Sequence, residues 1–416
     1  MGGIHVKIGA FAKHFDISID TIRYYVDLGL LIPNKKESQL QFDQNCMEDM
    51  QMIIELKKLR FTLQEIHKVL SLRRITQFSD IEDLHFYVTL LQEKQRQLQE
   101  ERDQLDHSID MLAKKIEAVG PLSPSENRTG VPLAFIPLLA CPHCQKSLNL
   151  RDAYIQNQYV LHAELDCPCG YQAEIREGIL ITTSPSLDPS KLQYYLYDQN
   201  TLEDLDPSLV SLWEKGSLWI YRRLMQDRLA NRVVLETNVD VYVLPPKYFA
   251  SMPADTRYIF AGNGVTMMTK LKSKIEQSNP GLQALYIVNS DMMLPIRYDS
   301  VDLFLDTISF NDFSLFHHTY PLERLQHYLK GNALILGNYM YYSHGAKSLA
   351  NVPRLYPDPH PLNFLQAYLD DQMKQYDFML AENELIGITT NPGKYLDYHV
   401  DREKLYMNAY LARRKT

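Results

Sequence analysis

The sequence predicts a multidomain protein. A small helical module is followed by a long coiled-coil helix, a small β zinc ribbon and an α/β three-layer domain. Three observations lead to this prediction. Leucines recur every seven residues from position 84, four of the five cysteines lie between 141 and 169, and strand-like and helix-like stretches alternate from about position 230 onward. Such alternation is typical of a mostly parallel sheet with helices on both faces.

Length and composition give room for several domains and favour an aqueous compartment. The 416 residues suffice for about three domains at the usual ~100–200 residues each. No apolar run approaches the roughly 20 residues that span a bilayer, and the N-terminus lacks a signal-peptide core, so we expect a cytoplasmic protein with no membrane partner. The net charge of −8 argues against non-specific binding of nucleic acid by the whole chain. Residues 1–75 are slightly basic, with eleven Lys or Arg against nine Asp or Glu.

Residues 6–28 are predicted to form two short helices joined by a brief turn. Phe11 and Phe15 belong to the apolar face of the first helix, Ser18 is a candidate N-cap of the second, and Gly29 marks its end. This is the helix-turn-helix arrangement, in which the second helix enters the major groove of DNA.

The same stretch resembles the MerR family of transcription regulators. The run TIRYY (21–25), followed by DLGLL (27–31) and Pro33, matches the family signature that precedes its wing, and FTLQEI (61–66) resembles its second helix pair. The resemblance covers about 70 residues. It implies a winged helix-turn-helix domain over residues 1–77, promoter double-stranded DNA and RNA polymerase as partners, and activation by distorting promoter DNA when an effector binds.

Candidate DNA-binding residues lie on the second helix and in the wing, where their donors can reach phosphates and base edges. They are Ser18, Thr21, Arg23, Tyr24, Tyr25, Lys35 and Lys36. The alternative for the two tyrosines is a structural aromatic pair, with at least one ring packed inward. The family's Gly-Tyr-Arg-x-Tyr wing reads SQLQF (38–42) here, so the usual wing arginine is missing.

Residues 80–119 are predicted to form a coiled-coil dimerisation helix. A heptad seam leaves an apolar stripe that a second copy would cover, so residues 84–119 predict a homodimer. One series of seam positions is Leu84, Leu91, Leu98, Leu105, Leu112 and Val119, and the other is Val88, Gln95, Arg102, Ile109 and Ile116. Gln95 and Arg102 are polar positions that can fix register. The alternative is a long helix that packs on its own domain.

Turn-forming residues predict a linker over residues 120–138, and residues 139–183 contain two cysteine pairs. Cys141 and Cys144 are spaced C-x2-C, and Cys167 and Cys169 are spaced C-x-C. Four thiolates from two turns form a closed tetrahedral zinc site, which predicts a structural zinc ribbon. The unit is similar to small ribbons that precede some methyltransferase domains. The alternative is a set of four reduced cysteines without a metal.

Residues 184–416 resemble the class I S-adenosylmethionine-dependent methyltransferase fold in the order of their elements. Strands are predicted at 232–236, 258–261, 284–288, 301–305 and 333–336, with a helix at 321–329 and a closing strand pair near 379–388 and 404–412. The resemblance implies an S-adenosylmethionine site at the carboxyl ends of these strands.

Departures from that family's pattern predict an inactive domain. Glu236 is retained after the first strand, but the glycine turn of the family is replaced by side chains at Asn238, Asp240 and Tyr242. Gly262 stands where the family has a ribose-binding carboxylate, whereas Asp291 remains at the adenine-contacting position. These differences predict that the chain is not an enzyme and that S-adenosylmethionine is an unlikely cofactor. The residues predicted to line a ligand pocket are Glu236, Tyr242, Asp291 and Asn311.

Taken together, the patterns predict a homodimeric DNA-binding transcription regulator with structural zinc. The methyltransferase-like domain would sense an unknown small-molecule effector or serve assembly. Two alternatives stay open. One is a DNA-targeted, active S-adenosylmethionine-dependent methyltransferase, and the other is a ligand-independent architectural or repressor protein.

Overall fold

The computed structural model describes residues 5–36, 39–119, 129–183, 204–226, 229–237, 239, 246–356 and 358–415. The chain divides into two compact units, Met1–Ser123 and Pro124–Thr416. Among the described helices, none combines the length and apolarity that crossing a membrane requires.

The described part of unit 1 contains five helices and a small antiparallel sheet. The sheet has the order β1-β3-β2. Its elements are β1 (Val6–Lys7), α1 (Ile8–Phe15), α2 (Ile19–Asp27), β2 (Asn34–Lys36), β3 (Gln39–Phe42), α3 (Gln44–Lys58), α4 (Leu63–Thr76) and α5 (Ile81–Val119). The pairing of β2 with β3 is a hairpin after the helix-turn-helix pair, so the winged arrangement predicted from the sequence is confirmed.

One hydrophobic core holds the first four helices of unit 1 together. Phe11 of α1 stacks on Phe42 of β3, and Ile22 and Met50 are fully buried beside them. The charged residue in this core is Asp49, whose carboxylate accepts hydrogen bonds from Arg74 Nε at 3.2 Å and Nη2 at 2.7 Å. The Arg74 guanidinium also donates to the carbonyl oxygens of Gly29 and Leu30. Arg74 therefore fastens α4 both to α3 and to the segment that joins α2 to the wing.

A capping box begins α4 and links it to α5. The backbone N–H of Thr62 donates to Glu65, and the backbone N–H of Glu65 donates to the Thr62 hydroxyl. Lys94 of α5 adds an ion pair to Glu65 at 2.9 Å. Burial alone would raise the pKa of Glu65, but the Thr62 N–H and Lys94 outweigh it and lower that pKa. The start of α5 is thus fixed on α4.

Unit 2 is built on one twelve-stranded sheet. Its strands are β4 (Val131–Pro132), β5 (Asn149–Gln156), β6 (Tyr159–Asp166), β7 (Gln172–Arg176), β8 (Ile179–Thr182), β9 (Val233–Glu236), β10 (Arg257–Gly262), β11 (Gln283–Val288), β12 (Val301–Thr307), β13 (Leu329–Tyr342), β14 (Phe378–Thr389) and β15 (Leu405–Arg414). Its α-helices are α6 (Pro207–Gln226), α7 (Pro246–Phe249), α8 (Val265–Ser278), α9 (Ser309–Phe316), α10 (Leu322–Leu325), α11 (Lys347–Leu355) and α12 (Gln366–Gln375). A 3-10 helix spans Leu133–Leu138.

The strand order is β14-β15-β13-β12-β9-β10-β11-β8-β7-β6-β4, with β5 paired to β6. The six central strands from β13 to β8 are parallel, and the strands at both ends are antiparallel. Alternate residues of β9 and β10 enter two separate cores. The ribbon, α9, α10 and α12 contribute to one core, whereas α6, α7 and α8 contribute to the other. The predicted α/β three-layer architecture is confirmed.

The cysteine-rich segment is continuous with this sheet. Strand β8 pairs in parallel with β11, from Ile179 opposite Tyr286 to Ile181 opposite Val288. The domain boundary predicted between residues 183 and 184 therefore does not coincide with a break in the strand pairing, and the ribbon as a separate domain stays a prediction.

Two sequence expectations need correction here. The predicted linker extends to residue 138, but Val131 pairs with Val160 and Phe135 is fully buried, because the stretch VPLAFIPLL is apolar enough to join the core. The helix predicted at 321–329 is confined to Leu322–Leu325, since Leu329 already pairs with Val301 at the start of β13.

Candidate functional site

Helix α2 presents an exposed polar face at the N-terminus of unit 1. Ser18 caps it by accepting a hydrogen bond from the backbone N–H of Thr21 at 3.1 Å, and the two hydroxyls lie 2.8 Å apart. The cap confirms the helix start that the sequence predicted. Arg23 projects one turn later and makes an exposed ion pair with Asp20 at 3.4 Å. Exposed pairs of this kind hold weakly, so the guanidinium remains available to a ligand.

The two adjacent tyrosines of α2 have different environments. Tyr24 is 52% exposed, whereas Tyr25 is only 3% exposed. The Tyr25 hydroxyl accepts a hydrogen bond from Lys57 Nζ at 3.1 Å. Tyr25 was expected among the DNA-binding residues, but its ring is a core residue. The difference follows from helical periodicity, because Tyr25 shares its face with the buried Ile22.

The wing carries the remaining candidates. Lys35 is exposed in β2, opposite Leu40 of β3. Lys36 follows it in the same strand, opposite Gln39. A lysine on a solvent-facing hairpin can approach a phosphate backbone without reading base sequence.

The four clustered cysteines converge in unit 2. Their sulfur atoms all lie within 4.8 Å of one another, with Cys141 3.3 Å from Cys169 and Cys144 3.4 Å from Cys167. Zinc held by four thiolates at about 2.3 Å requires sulfur atoms roughly 3.8 Å apart, so this cluster fits a tetrahedral ion. We call Cys141–Cys144 the first knuckle and Cys167–Cys169 the second knuckle.

The four cysteines differ in burial, with Cys141 and Cys167 buried and Cys144 and Cys169 exposed. Burial raises the pKa of Cys141 to about 12, whereas the backbone N–H of Tyr171 lowers the pKa of Cys169 to about 7. The first knuckle turns back through a hydrogen bond from the Cys141 N–H to the carbonyl oxygen of Lys146 at 2.9 Å. Gly170 closes the second knuckle with a φ of +96°, a conformation that glycine adopts without strain.

The predicted ligand-pocket residues that the structure describes have different surroundings, and a shared pocket stays a prediction. Glu236 is buried at the end of β9, where its Oε1 accepts a hydrogen bond from the Thr307 hydroxyl at 2.6 Å. Asn311 is buried in α9 and exchanges hydrogen bonds with the backbone N–H and carbonyl of Met340, so it fastens α9 to β13. Tyr242 lies outside the described residues, as do Asn238 and Asp240.

Asp291 lines a cleft between the two knuckles and the loop that follows β11. The cleft encloses about 160 Å³ and is bordered by Pro142, His143, Tyr171, Thr182, Thr183, Asn289, Asp291 and Met293. Asp291 Oδ1 accepts hydrogen bonds from Asn289 Nδ2 and from the Met293 N–H, both at 3.0 Å. His143 and Tyr171 were not predicted as lining residues. Their positions within the CPHC and CPCGY runs were the available signal.

The described strand ends offer an S-adenosylmethionine-type ligand a partial set of contacts. Asp291 supplies a carboxylate after β11. Gly262 ends β10 without a side chain, and its carbonyl oxygen already accepts the Asn289 N–H at 2.7 Å. The end of β11 can therefore contact such a ligand through a carboxylate, whereas the end of β10 has no side chain with which to do so.

Comparison with known sequences identifies the N-terminal domain. The MerR HTH family regulatory protein description matches residues 6–72. A similar curated protein is the HTH-type transcriptional regulator ZntR homolog of Haemophilus influenzae, 35% identical over 69 residues. That alignment covers 16% of this chain and 51% of the relative, so the chain spans about half the length of the protein it matches. A MerR-type helix-turn-helix domain at the N-terminus is thus confirmed.

Solved structures similar to part of this chain include methyltransferases. An S-adenosylmethionine-dependent methyltransferase from Aquifex aeolicus is 16% identical with a TM-score of 0.33, and covers 55% of this chain and 100% of its own. One from Geobacter sulfurreducens in complex with S-adenosyl-L-homocysteine is 11% identical with a TM-score of 0.36, covering 51% and 100%. Magnesium protoporphyrin IX methyltransferase from Synechocystis PCC 6803 with bound S-adenosylhomocysteine is 13% identical with a TM-score of 0.36, covering 55% and 92%.

Two predictions are corrected here. The expectation that the chain is not an enzyme is overturned and withdrawn, since S-adenosylmethionine-dependent methyltransferases are among the similar solved structures; at these identities and TM-scores the likeness concerns the fold alone. The expectation that S-adenosylmethionine is an unlikely cofactor is likewise withdrawn, and its binding becomes a question for measurement. The loss of glycines at 238, 240 and 242 was a weak basis for both expectations, since those positions lie outside the described residues.

Proposed function

We propose that this chain is a DNA-binding transcription regulator that reads promoter DNA through α2 and the wing. The observation that carries the proposal is the match of residues 6–72 to the MerR HTH family, on a winged helix-turn-helix whose α2 face is exposed. Arg23, Tyr24 and Thr21 are the proposed base-reading and positioning residues of α2, with Ser18 at its cap. Lys35 and Lys36 contact phosphates. Tyr25 is omitted because its ring is buried.

The proposed regulator acts as a homodimer through α5. This helix has 39 residues, and the described chain leaves much of its heptad seam uncovered. Exposed fractions are 61% for Leu105, 60% for Leu112 and 73% for Ile116. An apolar stripe of that length is costly in water, and a second α5 would bury it. Two paired helix-turn-helix domains would then read a pseudo-palindromic site, and RNA polymerase is the proposed partner at the promoter.

For unit 2, we propose that the four-cysteine cluster binds a structural zinc ion. The sulfur distances and the closed set of four ligands support a structural metal, since no coordination position is left for a substrate. The α/β domain is the proposed binding domain for a small-molecule effector.

The test of DNA reading begins with selection of a preferred site from random duplex DNA. Arg23→Ala should then weaken binding to that site by about 1–3 kcal/mol, because a bidentate arginine contact to a base pair is lost. Binding to unrelated DNA should change far less. The matched control is Arg402→Ala in unit 2, where the side chain is 92% exposed and the change should leave binding unaltered. Failure to select any preferred sequence would contradict the proposal. Equal losses of affinity on all DNA sequences would show that Arg23 contacts phosphate groups only.

A second candidate function is a DNA-targeted methyltransferase, favoured by the methyltransferase-like order of the sheet in unit 2. Titration calorimetry of the full chain with S-adenosylhomocysteine separates the candidates. One-to-one binding, followed by transfer of a labelled methyl group from S-adenosylmethionine to DNA, would establish the enzyme. DNA binding without either result would favour the regulator alone.

A further inference from the structure

One side chain of α4 contacts the short connection between α2 and the wing. We call this connection, Gly29 and Leu30, the junction, and it directly follows Leu28, the C-cap of α2. Arg74 Nη1 donates a hydrogen bond to the carbonyl oxygen of Gly29 at 2.9 Å, and Nη2 donates to that of Leu30 at 2.7 Å. Strand β2 begins at Asn34, so Arg74 holds the chain where it leaves α2 toward the wing.

The junction is also fixed from the side of α2. The N–H groups of Leu30 and Leu31 both donate to the carbonyl oxygen of Tyr25, at 2.9 and 3.2 Å. The Gly29 N–H donates to the carbonyl oxygen of Val26 at 3.0 Å, and the φ of +72° at Gly29 is a conformation that glycine adopts without strain. The N–H groups of the junction therefore bind α2, whereas its carbonyl groups bind α4.

Asp49 of α3 sets the orientation of the Arg74 guanidinium. Its Oδ2 accepts hydrogen bonds from Arg74 Nη2 at 2.7 Å and from Nε at 3.2 Å. The Asp49 side chain is 9% exposed and the Arg74 side chain 24% exposed, so salt screens this pair less than an exposed pair. A guanidinium presents its donors in a rigid plane, so the contact with Asp49 also fixes the directions in which Arg74 can bind the two carbonyl groups.

Arg73, the preceding residue of α4, offers a matched comparison. Its side chain is 23% exposed, and it also pairs with carboxylates of α3, those of Glu48 and Asp49. Within the described part of the chain its side-chain hydrogen bonds go to these two carboxylates and do not reach the junction. Arg73 and Arg74 thus share charge, exposure and a partner on α3, and they differ in the contact with the junction.

We infer that Arg74 is a positioning residue for DNA reading, which holds the wing where Lys35 and Lys36 can meet phosphates while α2 lies in the major groove. The inference rests on the proposed function, in which α2 reads base edges and the wing contacts the DNA backbone. Both contacts have to be made on one duplex at the same time. Rigid presentation lowers the ordering cost of binding, so loosening the junction weakens binding through a change in the protein alone.

The test measures the affinity of full-length variants for the selected DNA site over a range of salt concentrations. Lys35→Ala combined with Lys36→Ala should make the slope of log affinity against log salt concentration shallower by about 2, one for each lost phosphate contact. Arg74→Gln should make the slope shallower by a similar amount, because both wing lysines then miss the backbone. Arg73→Gln removes the same charge and should leave the slope nearly unchanged.

Combined variants separate positioning from a general loss of structure. In the protein that lacks both wing lysines, Arg74→Gln should cause no further loss of affinity, because the contacts that it positions are already absent. Combined with Arg23→Ala, it should cause its full loss, since α2 and the wing contribute separately. Additivity of this kind distinguishes residues that act through one contact from residues that act independently.

The conservative variant Arg74→Lys keeps the charge but not the fork of donors. One ammonium group cannot bind Asp49 and both junction carbonyls in the fixed geometry of a guanidinium, so this variant should bind DNA as Arg74→Gln does. Circular dichroism at the assay temperature verifies that each variant is folded. Should Arg74→Gln be unfolded there, Arg74→Lys takes its place in every comparison.

Failure of the inference is distinguishable from failure of the proposed function. If the unmodified protein selects no preferred DNA site, the proposed function is refuted. If it selects a site, equal effects of Arg74→Gln and Arg73→Gln would refute the role of Arg74. An Arg74→Gln loss that persists in the absence of both wing lysines would refute it as well, and so would full affinity in Arg74→Lys.

Discussion

At the scale of single residues, burial decides which chemistry a side chain can offer. Tyr24 and Tyr25 are neighbours in sequence, yet one is half exposed and the other is in the core. Asp306 gives a second example in unit 2. It is fully buried at the end of β12 and accepts hydrogen bonds from the Tyr410 hydroxyl at 2.6 Å and the Phe310 N–H at 2.8 Å. Burial nevertheless raises the pKa of Asp306 to about 6, because desolvation outweighs those donors.

The Asp306 pKa predicts a pH dependence of stability. Because the folded pKa of about 6 exceeds the ordinary 3.8, the stabilising contribution is complete below pH about 4 and is lost as pH rises through 6. Asp306→Asn does not titrate. The unfolding free energy of the unmodified protein, relative to this variant, should therefore fall by about 2 kcal/mol between pH 4 and pH 7.

Denaturant unfolding at a series of pH values measures this difference. Tyr410→Phe should move its midpoint to higher pH, since it removes a donor that favours the ionised carboxylate. A difference that is constant across the pH range would show that Asp306 does not change its protonation state there.

At the scale of elements, α5 has an apolar seam to cover, and the ribbon has four thiols to hold together. Helix α5 has about 58 Å of length and a seam without a cover in the described chain. Its first turns are fixed by Lys94 on Glu65, and Leu91 packs against the core of unit 1. The ribbon is joined to the sheet through β8. The arrangement of its two knuckles depends on the proposed metal ion that would bind the four cysteines.

The seam predicts that charge at its uncovered positions separates the dimer. Leu105→Glu combined with Leu112→Glu should give monomers by sedimentation, because four carboxylates would meet in one interface. Affinity for the selected DNA site should fall about 100-fold or more as bivalent binding is lost. His107→Glu with Lys114→Glu has the same spacing on another face and should leave the dimer intact. A dimer that survives the leucine changes would show that the interface lies elsewhere.

The ribbon predicts a metal-dependent stability. Cys144→Ser should reduce zinc from one per chain to nearly none by elemental analysis. Thermal unfolding of unit 2 should occur at lower temperature, because binding of structural zinc contributes directly to folding. Cys46→Ser is the control, since Cys46 belongs to the core of unit 1 and is not a member of the four-cysteine cluster. Full zinc content in the Cys144→Ser protein would refute the four-cysteine site.

At the scale of the whole molecule, the division into Met1–Ser123 and Pro124–Thr416 separates two sets of cores. All the buried residues that pack around Phe11 and Met50 lie in unit 1. The α/β cores draw their residues from unit 2 alone. Each unit therefore contains the apolar contacts that its own folding requires.

This division predicts that residues 1–123 fold and bind DNA without unit 2. The fragment should unfold in one cooperative transition and should keep the sequence preference of the full chain, including the loss caused by Arg23→Ala. Circular dichroism and the DNA-binding assay measure the two properties. A fragment that is folded but has lost the preference would assign unit 2 a part in DNA recognition.

What the sequence by itself determined were the features encoded by local periodicity and spacing. The cap at Ser18, the long helix of α5 and the strands of unit 2 from β9 onward follow from side-chain patterns within single elements. The proximity of four cysteines was predicted from their paired spacing, and the sulfur atoms do converge.

Only the tertiary structure decided what depends on residues far apart in sequence. The pairing of β8 with β11, which joins the ribbon to the α/β sheet, leaves no local pattern. The cleft combines His143 and Tyr171 with Asp291, more than one hundred residues away. Glu236 and Asn311 were predicted to line a pocket with Asp291, and the fold adds hydrogen bonds between Glu236 and Thr307 and between Asn311 and Met340 that no local pattern predicts. Periodicity reports which face of an element is buried, whereas the partner on that face is chosen by the packing of the whole chain.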